Sequence, residues 1–192
     1  DRILLEENIW SAENPSGVYL KGNYEPANTF NARQQVLSAY VMNEMPINKK
    51  VKITYGARIE KADNFYTGVN NQGTIRLNNE KILDKLNVLP SANLLYNLTD
   101  KMNLRLSANR TVARPSFKEN SIAQIQDRIS GRTFLGNIDL KQSSINNADL
   151  RLERFFGGGQ LVSASVFFKQ FIDPIQLVVF DPATPSNYQP KN

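Results

Sequence analysis

Between Val51 and Glu60 every second side chain is apolar. Val51, Ile53, Tyr55, Ala57 and Ile59 share one face of an extended chain, and Lys52, Thr54, Gly56, Arg58 and Glu60 share the other. A helix would scatter these apolar residues around its circumference, whereas a strand gathers them on one side. The same period predicts further strands: Ala92, Leu94, Tyr96 and Leu98 against Asn93 and Asn97, and Leu104, Leu106 and Ala108 against Asn103, Arg105, Ser107 and Asn109. Two more follow, with Ala148, Leu150 and Leu152 against Asp149, Arg151 and Glu153, and Val162, Ala164, Val166 and Phe168 against Ser163, Ser165, Phe167 and Lys169. From Gln35 to Ile47 the pattern is mixed. Leu37, Ala39, Val41 and Met45 face one way, but Val36, Tyr40 and Met42 join Ser38 and Glu44 on the other, as in a strand covered on both sides.

The connections alternate in length. Asn48-Lys49-Lys50, Thr99-Asp100-Lys101 and Gly157-Gly158-Gly159 are short and built from turn-forming residues. Long polar segments lie between them, from about Lys61 to Val88 and from about Arg114 to Asn147. Long loops on every second connection are foreign to compact soluble domains. They match an outer-membrane barrel, whose periplasmic turns are short and extracellular loops long.

Composition narrows the functions. No run of about 18 apolar residues is present, so no helix is expected to cross a bilayer. A mean hydropathy of -0.42 suits a soluble protein and equally a barrel whose strands alternate. The 192 residues include no cysteine and no histidine, which removes disulfides, thiol chemistry, the commonest general base and the usual zinc ligands. Neither enzymatic activity nor any cofactor is expected. The net charge of +5 is spread along the chain, and the Lys49, Lys50, Lys52 cluster reads as a solvated turn, so no nucleic-acid partner is expected.

The run Leu89 to Phe117, ending in Arg110-Thr-Val-Ala-Arg-Pro-Ser-Phe117, resembles the strand, periplasmic turn and strand of TonB-dependent outer-membrane receptor barrels. Gly136-Asn137 with Leu140, then Asn147-Ala-Asp-Leu-Arg-Leu-Glu153, is similar to that family's next loop exit and descending strand. Ile138 stands where the family often has proline. The upstream Ala39-Tyr40-Val41-Met42 and the later Val162 to Lys169 are similar too, so the resemblance spans most of Arg33 to Ile175.

The expected fold is therefore all-β: an antiparallel up-and-down meander of about six strands forming part of a transmembrane β-barrel, with residues 1–192 a partial barrel domain. Six strands are too few to close alone, since known barrels need roughly eight. No signal peptide or plug domain is recognised, and the closing barrel strand is expected to be missing; the tail Pro185 to Asn192 reads as loop. Arg110 falls on the apolar face, which predicts that its strand ends or bulges before it.

The resemblance implies a transport function in the outer membrane of a Gram-negative bacterium: uptake of a scarce iron chelate, vitamin, glycan or peptide. Its implied partners are outer-membrane lipid, a plug domain of the same protein and the TonB complex. On the lumen faces, Arg58, Glu60, Arg105, Asn109, Arg151, Glu153 and Lys169 are candidate contacts to the plug or a passing ligand, and individually each reads more readily as a hydrated wall of compensating charges. Asp127, Arg128, Arg132 and Asp139 are candidate extracellular-loop ligand contacts, or simply solvated loop. Tyr55, Tyr96, Phe155, Phe156, Phe168 and Phe171 are candidates for interfacial girdles, or for core in a soluble fold. Two rival readings are a soluble all-β binding module with long recognition loops and a passive outer-membrane channel.

Overall fold

The computed structural model describes residues 14, 25–127 and 129–192. Among them the fold is all-β, with two 3-10 turns, Pro26–Asn28 and Gly157–Gly159, and no α-helix. Six strands build the main sheet: β1 (Asn31–Pro46), β2 (Val51–Val69), β3 (Arg76–Thr99), β4 (Met102–Ala113), β7 (Ser143–Phe155) and β8 (Leu161–Ile172). They pair in the order β1-β2-β3-β4-β7-β8, every pair antiparallel, as the alternating pattern predicts.

The register brings the apolar sets together across the whole sheet. Met45, Ile53, Leu94, Leu106, Leu150 and Val166 are successive Cα partners, one from each strand. The adjacent row, Glu44, Thr54, Asn93, Ser107, Asp149 and Phe167, lies on the opposite face and is polar until it reaches β8. A slip of one residue at any pair would exchange the two faces, so the pattern itself fixes the register.

All three short connections are tight turns. Asn48 Oδ1 accepts the N–H groups of Lys50 (2.8 Å) and Val51 (2.9 Å), closing the β1–β2 hairpin. Only Asp100 and Lys101 join β3 to β4. Between β7 and β8, Gly158 and Gly159 adopt φ of 72° and 77°, a backbone that only glycine enters without strain.

At the other end the structure corrects several expectations. The segment from Lys61 to Val88 is not a loop: β2 runs on to Val69 and β3 starts at Arg76, leaving 70–75 as the connection. Hydropathy misses this extension because charges replace apolar residues on the outward side. Asp63 and Asp84 are Cα partners, and Lys61 and Lys81 bridge them, with Lys61–Asp63 at 3.3 Å and Lys81–Asp84 at 3.2 Å. The segment from Arg114 to Asn147 is shorter than expected, since β7 begins at Ser143, and it carries the hairpin β5 (Gln124–Asp127) and β6 (Arg132–Leu135). The tail is strand, not loop: β10 (Thr184–Lys191) pairs antiparallel with β9 (Gln176–Asp181) and parallel with β6. Prolines at 185 and 190 hide this in the sequence, and the partner β6 lies some fifty residues away. A second, four-stranded sheet of order β5-β6-β10-β9 results.

β4 neither ends nor bulges at Arg110 but continues in register to Ala113. Arg110 stands opposite Asn146, which stands opposite Gln170, so a polar row crosses the otherwise apolar face near the ends of β4, β7 and β8. Tyr55, Tyr96 and Phe168 lie on the apolar face as a girdle requires, whereas Phe155 and Phe171 lie on the polar one by register with Leu161 and Ile145.

Candidate functional site

Among the described residues few apolar side chains are buried. The apolar face of the main sheet is bare: Leu37 is 78% exposed, Val166 72%, and Leu106 and Leu150 each 42%. No dry interior is shared by Ile53, Leu94, Leu106 and Leu150. A contiguous bare surface on this scale is uncommon in a soluble monomer and implies an apolar environment outside it.

Burial occurs on the polar face instead. Toward the tight-turn end that face forms an open groove of about 740 Å³ whose lining includes Lys52, Glu44, Arg105, Asp149 and Arg151. Arg105 and Arg151 are direct Cα partners, a repulsive arrangement by itself. Glu153, only 6% exposed, resolves it by pairing with both: Oε2 accepts from Arg105 Nε at 2.9 Å, and Arg151 Nε forms an ion pair with Oε1 at 3.0 Å. Lys52 pairs with Glu44 at 3.1 Å, and the Ser107 hydroxyl donates to Asp149 at 3.3 Å. Asn147 Nδ2 donates to Asn109 Oδ1 at 2.9 Å, and exposed Lys169 is the next Cα partner along.

Nearer the long loops, Glu60, Ala62, Asn64 and Tyr66 project from the extended part of β2 and are buried, and the connection between β4 and β7 reaches the first and last of them. Glu60 accepts from Arg58 Nη2 at 2.8 Å and forms a second ion pair with Arg114, the first residue of that connection. Burial, and then the neighbouring Arg58 charge, lower the Arg114 pKa from its ordinary value. At the far end of the connection Gln142 and Asn87, both buried, exchange side-chain hydrogen bonds. In between, the Ile122 N–H donates to Tyr66 Oη at 3.4 Å, the Phe30 ring stacks on Tyr66 with centroids 5.3 Å apart, and Asn71 Nδ2 donates to Gln124 Oε1 at 3.3 Å.

The Gly136-Asn137 pair shows why glycine is needed there. A Cβ at Gly136 would overlap the Ser121 carbonyl, and the close approach lets Gly136 N–H donate to Ala123 O and Asn137 N–H to Glu119 O, each at 2.8 Å. Asn120 Nδ2 donates to Ile138 O at 2.8 Å.

The second sheet carries Asp127 and Arg132 as Cα partners on β5 and β6. The Asp127 carboxylate turns into its own hairpin, where the Ser130 hydroxyl, first, and the Ile129 N–H hold its pKa below the usual carboxylate value. Arg132 lies over the Tyr188 ring, 5.2 Å from its centroid. Asp139 is exposed, its N–H donating to Asn137 Oδ1 at 3.1 Å. Arg128 lies outside the described residues.

The structure thus brings Arg58 to Glu60, and Arg105 and Arg151 to Glu153, but leaves Asn109, Lys169 and Asp139 outside those clusters. Sequence reasoning missed Arg114, Asn87, Gln142, Tyr66 and Tyr188, and also Lys118, whose Nζ lies 4.5 Å from the centroid of the Phe134 ring on β6. A signal existed for Tyr66, because Glu60, Ala62, Asn64 and Tyr66 continue the period of β2 beyond the point where apolar partners stop.

The family model described as TonB dependent receptor-like, beta-barrel, matches residues 5–192. Among solved structures, the siderophore receptor PirA from Pseudomonas aeruginosa superposes with a TM-score of 0.53 at 13% identity, over 84% of this chain and 37% of that one. The ferric-catecholate import receptor Fiu from E. coli K12, in its closed form, does so with a TM-score of 0.55 at 14% identity, over 92% of this chain and 26% of that one. The chain therefore spans well under half the length of these structures, and at such identities the likeness concerns the fold. No curated protein matches the chain.

Proposed function

Since the chain belongs to the TonB-dependent receptor β-barrel family, we propose that it builds part of the barrel wall of an outer-membrane receptor that imports a scarce ligand. The observation that carries this reading is the distribution of burial. The apolar face is bare where a lipid-facing wall should be, and the buried polar groups lie on the face that would line a lumen. β1 and β8 each keep one open edge in the sheet order, and in hydrocarbon such edges need neighbouring strands. Further strands of the same barrel are the natural source.

On this reading Lys52, Arg105, Arg151 and Glu153 face a plug domain, and the second sheet lies at the extracellular mouth. Lys169 and Asn109 line the lumen between them. The solved neighbours are a siderophore receptor and a ferric-catecholate import receptor, which favours an iron chelate over a vitamin, glycan or peptide. Energy would come from TonB acting on the plug.

The test is uptake by the full-length receptor in cells, with and without TonB. Import of a radiolabelled ferric chelate that disappears on deleting either the receptor or TonB supports the proposal. Conductance of the intact protein in planar bilayers would instead point to a passive channel, because a receptor should conduct only once its plug is removed.

A further inference from the structure

On one face of the second sheet, Ile125, Phe134, Tyr188 and Val179 are successive Cα partners from β5, β6, β10 and β9. This row joins the connection between β4 and β7 to the segment after β8, so neither contributes a complete surface alone. A cation stands over each ring: Lys118 Nζ is 4.5 Å from the Phe134 centroid and the Arg132 guanidinium 5.2 Å from that of Tyr188. Among the described residues neither cation has a carboxylate within ion-pair distance. Asp127, the Cα partner of Arg132, feels its charge but accepts its hydrogen bonds from Ile129 and Ser130.

Together Lys118, Ile125, Arg132, Phe134, Leu177 and Tyr188 frame a cleft of about 220 Å³. Its walls are largely ring and aliphatic surface, both cations sit at it, and Thr133 and Asp127 complete the lining, the Asp127 carboxylate being turned onto Ser130 and Ile129. Pockets that enclose a whole drug-sized ligand run to roughly 300–1,000 Å³. The cleft is smaller, so it fits one ring-sized group and not an entire chelate.

We propose that this cleft is a binding subsite for a single planar ring bearing a carboxylate or similar anionic oxygen, as one arm of a larger ligand. The ring would pack on Ile125, Leu177 and the aromatic edges, while the anion meets Lys118 and Arg132 in charge-assisted hydrogen bonds. The inference rests on the receptor reading only for the claim that the cleft faces the cell exterior.

Benzoate is the probe, titrated into the detergent-solubilised full-length receptor by ligand-observed NMR, with benzylamine as the charge-reversed control. Lys118→Gln and Arg132→Gln should each weaken benzoate binding about tenfold, as expected for loss of one hydrogen bond between charged groups. Lys118→Arg and Arg132→Lys should restore most of it, and Arg110→Gln, on the opposite side of the wall, should change nothing. Heat-modifiable migration on gels checks that each variant is folded. Absence of benzoate binding, binding indifferent to the two glutamine variants, or equal binding of benzylamine would each overturn the proposal. In parallel, Ile129→Cys, at a fully exposed position of a chain without cysteine, reports orientation through labelling of whole cells by an impermeant maleimide. Benzoate binding without labelling would keep the subsite and sink the receptor orientation; labelling without binding would do the reverse.

Discussion

The two halves of β2 differ in what their faces carry and bury. From Val51 to Ile59 the odd-numbered residues are apolar and the strand buries nothing deeply; from Glu60 to Tyr66 the odd-numbered outward residues Lys61 and Asp63 are charged, while the even-numbered ones are buried. The period of two never changes. What changes on the proposed barrel-wall reading is the medium on each side: hydrocarbon then water outward, an open groove then a packed polar layer inward. Alternation alone therefore says that two faces differ, and only the partners say what each face meets.

Arginine substitutions on the outward face should break the comparison most sharply. Leu106→Arg, in the middle of the apolar row, is expected to cost up to about 4 kcal/mol, the upper range for a charge at the bilayer midplane. Urea titration of the barrel folded into phospholipid vesicles measures it, and a loss below 1 kcal/mol would mean that this row does not face lipid.

On the inward side of the upper half, Glu60→Ala removes the carboxylate shared by Arg58 and Arg114. Breaking a buried pair costs about 3–5 kcal/mol, and the lower end applies because Arg58 stays partly exposed. The effect should appear as faster amide exchange across residues 114–142, with the lower strands unchanged. Uniform acceleration throughout the sheet would show that the layer is not a separate unit.

Gln142→Ala sharpens the same point with a smaller change. It orphans the buried Asn87 amide, a loss of about 1–3 kcal/mol, and should loosen the connection beside β7 more than at Arg114. The smallest effect is expected for Leu86→Arg, on the outward face beside Lys61. Near the membrane interface the same substitution costs roughly 0–1 kcal/mol. If it matched Leu106→Arg in the vesicle titration, the charged row at Lys61, Asp63, Lys81 and Asp84 would not mark the edge of the hydrocarbon.

Much of the wall was legible beforehand. Six strands, their order within each hairpin, the three tight turns and the pairing of apolar with apolar positions follow from the period and from Asn48, Asp100 and Gly158. The site was far less so. Arg58, Glu60, Arg105, Arg151 and Glu153 were visible as polar-face residues, but that Glu153 answers two opposed arginines depends on the register of β4 against β7. Lys118, Phe134 and Tyr188 carried no local signal at all.

Sequence by itself determined which side of each strand is greasy, because a side chain's polarity and its parity along an extended backbone are local properties. Tertiary structure decided where β2 and β3 stop, that the tail is a strand, and which charges find partners. Those outcomes need groups brought together from segments about fifty residues apart, as Arg114 is to Glu60, Gln142 to Asn87 and Tyr188 to Phe134, and local periodicity holds no information about such meetings.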